Sequence, residues 1–288
     1  KQQAKKYDKN FRFTITTNGV LLNDEITDYL NKEMYNVVLS LDGRKEINDK
    51  VRKTINNKGT YDLIKDKFLK LALARKDKAW YVRGTFTHNN ADFAKDVLHL
   101  NDIGFSSISV EPVVLPDGHP LALTNGDINT ALTQYTILAD EYLKRRKSGK
   151  KFDFFHFYIN LEDGPCLKKR LTGCGAGNEY VAVAPDGEIY PCHQFVGNNQ
   201  FKMGNVNDVD ILNGKFNREI QNRFANSNLL TKPDCKNCFA KYHCSGGCAA
   251  NNYNFNKDID KPYKKACELM KKRTECALGI YAQEHMSE

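Results

Sequence analysis

The first 165 of the 288 residues contain no cysteine, so that stretch can offer neither a disulfide nor a thiolate metal site. No run of 18 apolar residues occurs anywhere, which removes a membrane-spanning helix from consideration. Residues 1–10 lack the apolar core of a signal peptide. They also lack Met, and they read as a lysine-rich helical tail entering a strand as though upstream sequence were missing. Nine cysteines without a secretory signal point to a reducing, cytoplasmic setting, where thiols serve as metal ligands or reactive groups rather than bridges.

The formal charge of +8 is not gathered into a stripe. Lysines are interleaved with acids, as in Lys5-Lys6-Tyr7-Asp8-Lys9, which describes solvated faces rather than a nucleic-acid groove. A hydrophobic share of 41% is ample for a buried core.

Along residues 11–114, short β-branched or aromatic runs alternate with amphipathic stretches. Strands are expected at 11–17, 36–41, 80–87 and 106–111. Helices are expected at 23–32 with Asn23 as N-cap, at 61–75 with Ile64, Phe68, Leu71 and Leu73 as the apolar stripe, and at 91–101 closed by Gly104. This alternation predicts an α/β fold with a parallel sheet. Loops after its strands hold the candidate ligand groups, in Thr17-Asn18-Gly19, Ser40-Leu41-Asp42-Gly43 and Glu111-Pro112, although Asn-Gly and Asp-Gly are also ordinary turn pairs.

Residues 124–147 read as one long helix. Thr124 and Asp127 form its capping box, Leu132, Ile137, Leu138, Tyr142 and Leu143 its apolar stripe, and Lys144 to Lys147 its basic end. The aromatic stretch 152–161 is expected to be a buried connector. The domains expected are 1–150, a connector 151–163, and 164–288. In the last, 179–184 and 187–190 predict a hairpin delivering Cys192, another short extended piece starts at Gly204, and helices are expected at 211–229 and 264–282.

Seven of the nine cysteines in this region are spaced as Cys174-x12-Gly187-x4-Cys192, then Cys235-x2-Cys238-x5-Cys244-x3-Cys248, then Cys267. A two-residue spacer lets two sulfurs turn toward one centre. Gly246-Gly247 keeps the backbone clear of side chains close to a metal. Seven thiols exceed one site. Two iron–sulfur clusters, a structural zinc, and a set of buried thiols all remain compatible with the spacing alone.

The same spacing resembles the SPASM domain, the C-terminal extension of a large class of radical S-adenosylmethionine (SAM) enzymes. The Thr17-Asn18-Gly19 and Leu39-Ser40-Leu41-Asp42-Gly43 segments resemble middle strands of the partial radical SAM barrel. The implied fold class is α/β, an incomplete barrel of parallel strands followed by an irregular α+β iron–sulfur domain.

Gly164-Pro165-Cys166, Gly173-Cys174-Gly175-Ala176-Gly177 and the stretch from Tyr190 to Gly197 resemble maturases of six-cysteine (SCIFF) peptides, which install thioether cross-links. The resemblance implies two auxiliary 4Fe-4S clusters. Cys235, Cys238, Cys244 and Cys267 would hold the outer one, and Cys174, Cys192 and Cys248 the inner one, completed by Cys166 or by a substrate thiolate. Cys276 is expected to be a packed bystander.

It further implies SAM and a third 4Fe-4S cluster, a cysteine-rich precursor peptide, and an electron donor such as a flavodoxin or ferredoxin. Ser40, Asp42 and Arg52 are the candidate SAM contacts, and His193 is the candidate proton acceptor. Sulfatase maturases, the sibling family that makes formylglycine, carry an acid where His193 stands. The Cys-x3-Cys-x2-Cys loop that binds the SAM-cleaving cluster does not occur in these residues. A non-catalytic iron–sulfur or zinc-binding peptide-docking module is the alternative this leaves.

Overall fold

The computed structural model describes residues 2–161, 167–208 and 217–285. The chain divides into two compact units, one of Lys1–Ile159 with Cys276–Glu288, the other of Asn160–Glu275.

In the first unit, helix α1 (Gln2–Lys6) precedes strands β1 (Thr14–Thr17), β2 (Asn36–Ser40), β3 (Ala79–Phe86), β4 (Ser107–Pro112) and β5 (Asp153–Phe154). The strands lie in the order β1-β2-β3-β4-β5, each parallel to its neighbour. A sheet that steps one way without reversing is an arc of a barrel, since a doubly wound sheet changes direction at a switch point. Val37, Val38 and Leu39 on β2 are all buried, as befits a parallel strand covered on both faces.

Between the strands run α2 (Asp24–Glu33), α3 (Lys45–Val51), α4 (Tyr61–Ala74), α5 (Ala94–Asp102) and α6 (Asn125–Lys147). Asn23 caps α2 by accepting from the Ile26 amide at 2.8 Å. Thr124 and Asp127 form the reciprocal capping box of α6. Arg75, 1% exposed, ends α4 and donates to the carbonyls of Leu30, Met34, Tyr35 and Ala79 and to Asn31 Oδ1. It thereby satisfies the carbonyls of Met34 and Tyr35, just past the C-terminal end of α2, and adds a second donor to Leu30 O, which already accepts from the Met34 amide.

Several expectations are corrected here. Strand β1 starts at Thr14, because Phe11 and Phe13 are exposed and stack on each other rather than entering the sheet. Leu73 is 78% exposed. It sits two positions beyond Leu71, roughly 200° around the helix from it, whereas the buried face is Tyr61, Ile64, Phe68, Leu71 and Ala72. Ile137 likewise faces outward, and Tyr135 takes the core position. The aromatic connector contributes the fifth strand through Phe154, which the short apolar run concealed. Its Phe152, Phe154 and Phe157 are buried, while Phe155 and Tyr158 are exposed. Helix α3 was not expected at all, being short and polar.

The second unit contains α7 (Leu167–Thr172), an antiparallel sheet of β6 (Ala182–Val183), β7 (Glu188–Tyr190) and β8 (Gly204–Asn205), then α8 (Arg218–Asn226), α9 (Pro233–Lys236), α10 (Lys241–Cys244), α11 (Ala249–Asn256) and the first half of α12 (Lys264–His285), whose part from Cys276 belongs to the first unit. The expected hairpin is present, with Ala182 opposite Tyr190. The first part of the helix expected at 211–229 lies outside the described residues, and α8 ends at Asn226, three residues short of the expected end. Tyr190, Phe195, Phe201, Phe224, Ala250 and Ile259 form the core of this unit, with Phe195 and Phe201 rings 4.2 Å apart. No helix among the described residues is long and apolar enough to cross a membrane.

Candidate functional site

The C-terminal strand ends of the first unit carry its polar side chains. Asp42, at the loop after β2, is 2% exposed. Arg52 meets it in a two-pronged pair, Nε to Oδ2 at 2.7 Å and Nη2 to Oδ1 at 3.0 Å. The Thr85 amide donates to the same Oδ1 at 3.0 Å. Sequence-predicted Asp42 and Arg52 are thus brought together. Ser40 closes β2, partly exposed, and its position at the strand end matches the expectation.

Arg44, one residue past Gly43, fastens the loop to α5 and the turn before it. Its Nε lies 2.8 Å from Asp96 Oδ1 and its Nη2 2.7 Å from Asp92 Oδ1. Gly43 has φ +117°, and a Cβ there would come within 2.3 Å of Asp96; only glycine permits both the conformation and the approach. At the end of β4, His156 Nε2 lies 3.3 Å from both Ser109 Oγ and Glu111 Oε1. His156 was hidden in the aromatic run, and only its place after a fifth strand could have exposed it.

In the second unit the thiols fall into two groups. Cys235, Cys238, Cys244 and Cys267 line one cavity of about 320 Å³ together with Gly246, Gly247 and Lys271. Burial, and then the neighbouring Cys244 and Cys235, push the Cys267 thiol up to about 11. Burial likewise raises Cys244, against the backbone amides of Gly247 and Gly246 that donate to it. Both glycines hold positive φ, at +86° and +78°, the freedom their place between two cysteines called for.

Cys174, Cys192 and Cys248 form the second group. Burial raises Cys248, opposed by the amides of Asn251 and Ala250, and Cys174 adds to the rise. Cys192, 5% exposed, is raised by burial as well, with Gln194 and Phe195 amides opposing and Cys248 and Cys174 reinforcing. Tyr180, absent from the sequence-based set, sends its hydroxyl toward Cys174 Sγ at 3.9 Å. Cys166 lies outside the described residues. His193 is exposed, directly after Cys192 at the start of a short 3-10 turn. Cys276 is buried on α12.

This donor chemistry fits iron–sulfur clusters. Clustered thiols, with backbone N–H groups donating to Cys192, Cys244 and Cys248, form an arrangement that a bound cationic centre would stabilise. Among the described residues, no three His, Cys, Asp or Glu side chains converge on a single-ion position. The cavity of about 320 Å³ that the four thiols line has room for a cuboidal cluster.

A one-way parallel sheet followed by an irregular, thiol-rich unit defines an α/β protein with an iron–sulfur domain. Residues 174–239 match the SPASM iron-sulfur cluster-binding domain model. The cysteine-type anaerobic sulfatase-maturating enzyme of Clostridium novyi (strain NT) is 27% identical over 86% of this chain and 67% of its own length. The fold is also that of native anSMEcpe solved with AdoMet and the Cp18Cys peptide, at TM-score 0.76 and 19% identity over 100% of this chain and 80% of that one. It is shared more loosely with Streptococcus suis SuiB bound to S-adenosylmethionine, at TM-score 0.53 and 21% identity over 86% and 57% of the two chains. The chain thus carries a match to the SPASM domain and is similar over most of its length to radical SAM/SPASM peptide-modifying maturases. It spans about two thirds of the length of the curated relatives it matches.

Proposed function

We propose that this chain, joined to a Cys-x3-Cys-x2-Cys loop, works as a radical SAM maturase. Its reaction would oxidise a cysteine or serine side chain of a peptide to formylglycine, the chemistry that the resemblance to sulfatase maturases implies and that the cysteine-type and serine-type sulfatase-maturating relatives support. The observation that carries the reading is the division of the thiols into a group of four and a group of three.

Four thiols complete a cluster's ligand set. Three leave one position for Cys166 or for a sulfur of the peptide. Bound, the clusters would supply one-electron transfer and a docking point for substrate sulfur. The chain's own part is to hold the thiolates, orient them with backbone amides, and place His193 beside Cys192 as proton acceptor. In the first unit, Ser40 and the outer edge of Arg52 are proposed to contact SAM, with Asp42 holding Arg52 in place.

One observation favours a second reading, thioether formation. His193 stands where the sulfatase maturases carry an acid, as the SCIFF resemblance already noted. The partners proposed are a cysteine-containing peptide and a reducing donor of the flavodoxin or ferredoxin type.

The test is an anaerobic incubation of the motif-bearing protein with SAM, a reductant and cysteine peptides, followed by mass spectrometry. Loss of sulfur with a new aldehyde supports formylglycine formation. Retained sulfur with loss of two hydrogens assigns the thioether reading instead. SAM cleavage without any change in peptide, across a panel of both peptide types, contradicts both.

A further inference from the structure

Lys232, three residues before Cys235, is 3% exposed. A lysine with no task in the interior lets its flexible stem carry the ammonium to water. This one turns inward, where Nζ donates to the Gly246 carbonyl at 3.0 Å. Gly246 lies between Cys244 and Cys248, ligand candidates for different groups. A Cβ on Gly246 would come 3.2 Å from Nζ and 3.3 Å from Cδ of the lysine, so the glycine also makes room for the ammonium. Asn252 steadies the seat, donating to Ile259 O at 2.9 Å and, more distantly, to Gly246 O at 3.5 Å.

One carbonyl compensates a buried ammonium poorly. The remaining compensation is ionic. Burial acts most strongly on Lys232 and lowers its pKa, and Asp260, then Cys235, Cys244 and Cys248, oppose that by favouring the charged form. Asp260 is itself unsatisfied, its buried Oδ1 having no hydrogen-bond partner among the described residues. The ammonium is thus fixed on the Gly246 carbonyl, in the turn that joins Cys244 of one group to Cys248 of the other.

Resting on the reading that these thiols hold iron–sulfur clusters, we propose that Lys232 is the buried positive charge that sets the reduction potentials of both auxiliary clusters. Reduction adds one negative charge to a cluster that is already anionic. A cation held nearby in a water-poor setting stabilises the reduced form more than the oxidised form and raises the potential. Its position between the groups couples the two centres to one charge.

The experiment is a potentiometric titration, followed by electron paramagnetic resonance, of the anaerobically reconstituted 288-residue chain and its K232M and K232R variants. Lys232→Met keeps the length of the side chain and removes its charge. Both clusters are expected to become at least tenfold harder to reduce, about 59 mV more negative for a one-electron couple. Lys232→Arg is expected to keep the potentials close to those of the parent chain. Unchanged potentials in an iron-loaded Met variant overturn the inference while leaving the cluster reading intact. Where the Met variant does not load iron, the Arg variant decides: parent-like potentials support the inference, and an empty or shifted Arg variant overturns it. A parent chain that binds no iron removes the cluster reading itself, and this inference with it.

Discussion

Arg52 lays its guanidinium along the carboxylate of Asp42, with N–O distances of 2.7 and 3.0 Å, and the Asp42 side chain is only 3% exposed. The pair links the loop after β2 to the end of α3, and through the Thr85 amide to β3. Removing one partner leaves the other's charge uncompensated. Asp42→Ala is expected to lower stability by about 3 kcal/mol, read as a reduced urea midpoint. Arg52→Lys is expected to restore the fold only in part, since an ammonium cannot reproduce the two-pronged contact. A midpoint unchanged in Asp42→Ala would show that the pair contributes nothing to the loop.

Arg75 gives a second, independent test. Its guanidinium satisfies four backbone carbonyls and Asn31, and burial lowers its pKa from the ordinary arginine value. Arg75→Met retains the apolar stem and abandons those acceptors. We expect a loss of about 3 kcal/mol, with amide exchange accelerated at the end of α2 near Met34. Native exchange rates there would contradict the role given to this arginine.

Acid sensitivity follows from Asp92. Burial alone would raise its carboxyl, but the bonds to Arg44 and Lys95 prevail and hold it below the ordinary range. A depressed folded pKa stabilises above the unfolded value of about 3.9 and is lost as pH falls through the folded pKa. The stability gap between the parent chain and Asp92→Asn is therefore expected to be full at pH 7 and to close below about pH 4. Urea titrations at the two pH values measure it, and a gap independent of pH would contradict the assignment.

Much of the architecture was legible in the sequence because local chemistry decided it. Asn23, Thr124 with Asp127, and the turn before Gly187 each announced an element that the structure contains. What escaped depended on partners distant in the chain. Phe154 joins the sheet because β4 is there to receive it, and Leu73 is exposed because helical phase, not apolarity, selects the buried face. The grouping of the cysteines came from family resemblance rather than spacing, since Cys244 and Cys248 are four residues apart yet face different groups. Tyr180 and Lys232 had no motif to mark them; their significance lies in sulfurs brought near by folding.

The grouping itself is open to mutation. Cys238→Ala and Cys192→Ala each remove a thiol from a different group, so each is expected to leave about four irons of the eight that two 4Fe-4S clusters contain. The double variant is expected to leave almost none. Loss of all iron from either single variant would mean the two groups are not separate sites.

The central claim is that residues 174–267 hold two iron–sulfur clusters. Its most direct measurement is the metal content of the parent chain after anaerobic reconstitution, with iron, sulfide and zinc assayed on one sample. About eight irons and eight sulfides per chain are expected, with a brown colour that bleaches on reduction. Stoichiometric zinc in a colourless protein that takes up no iron would contradict it.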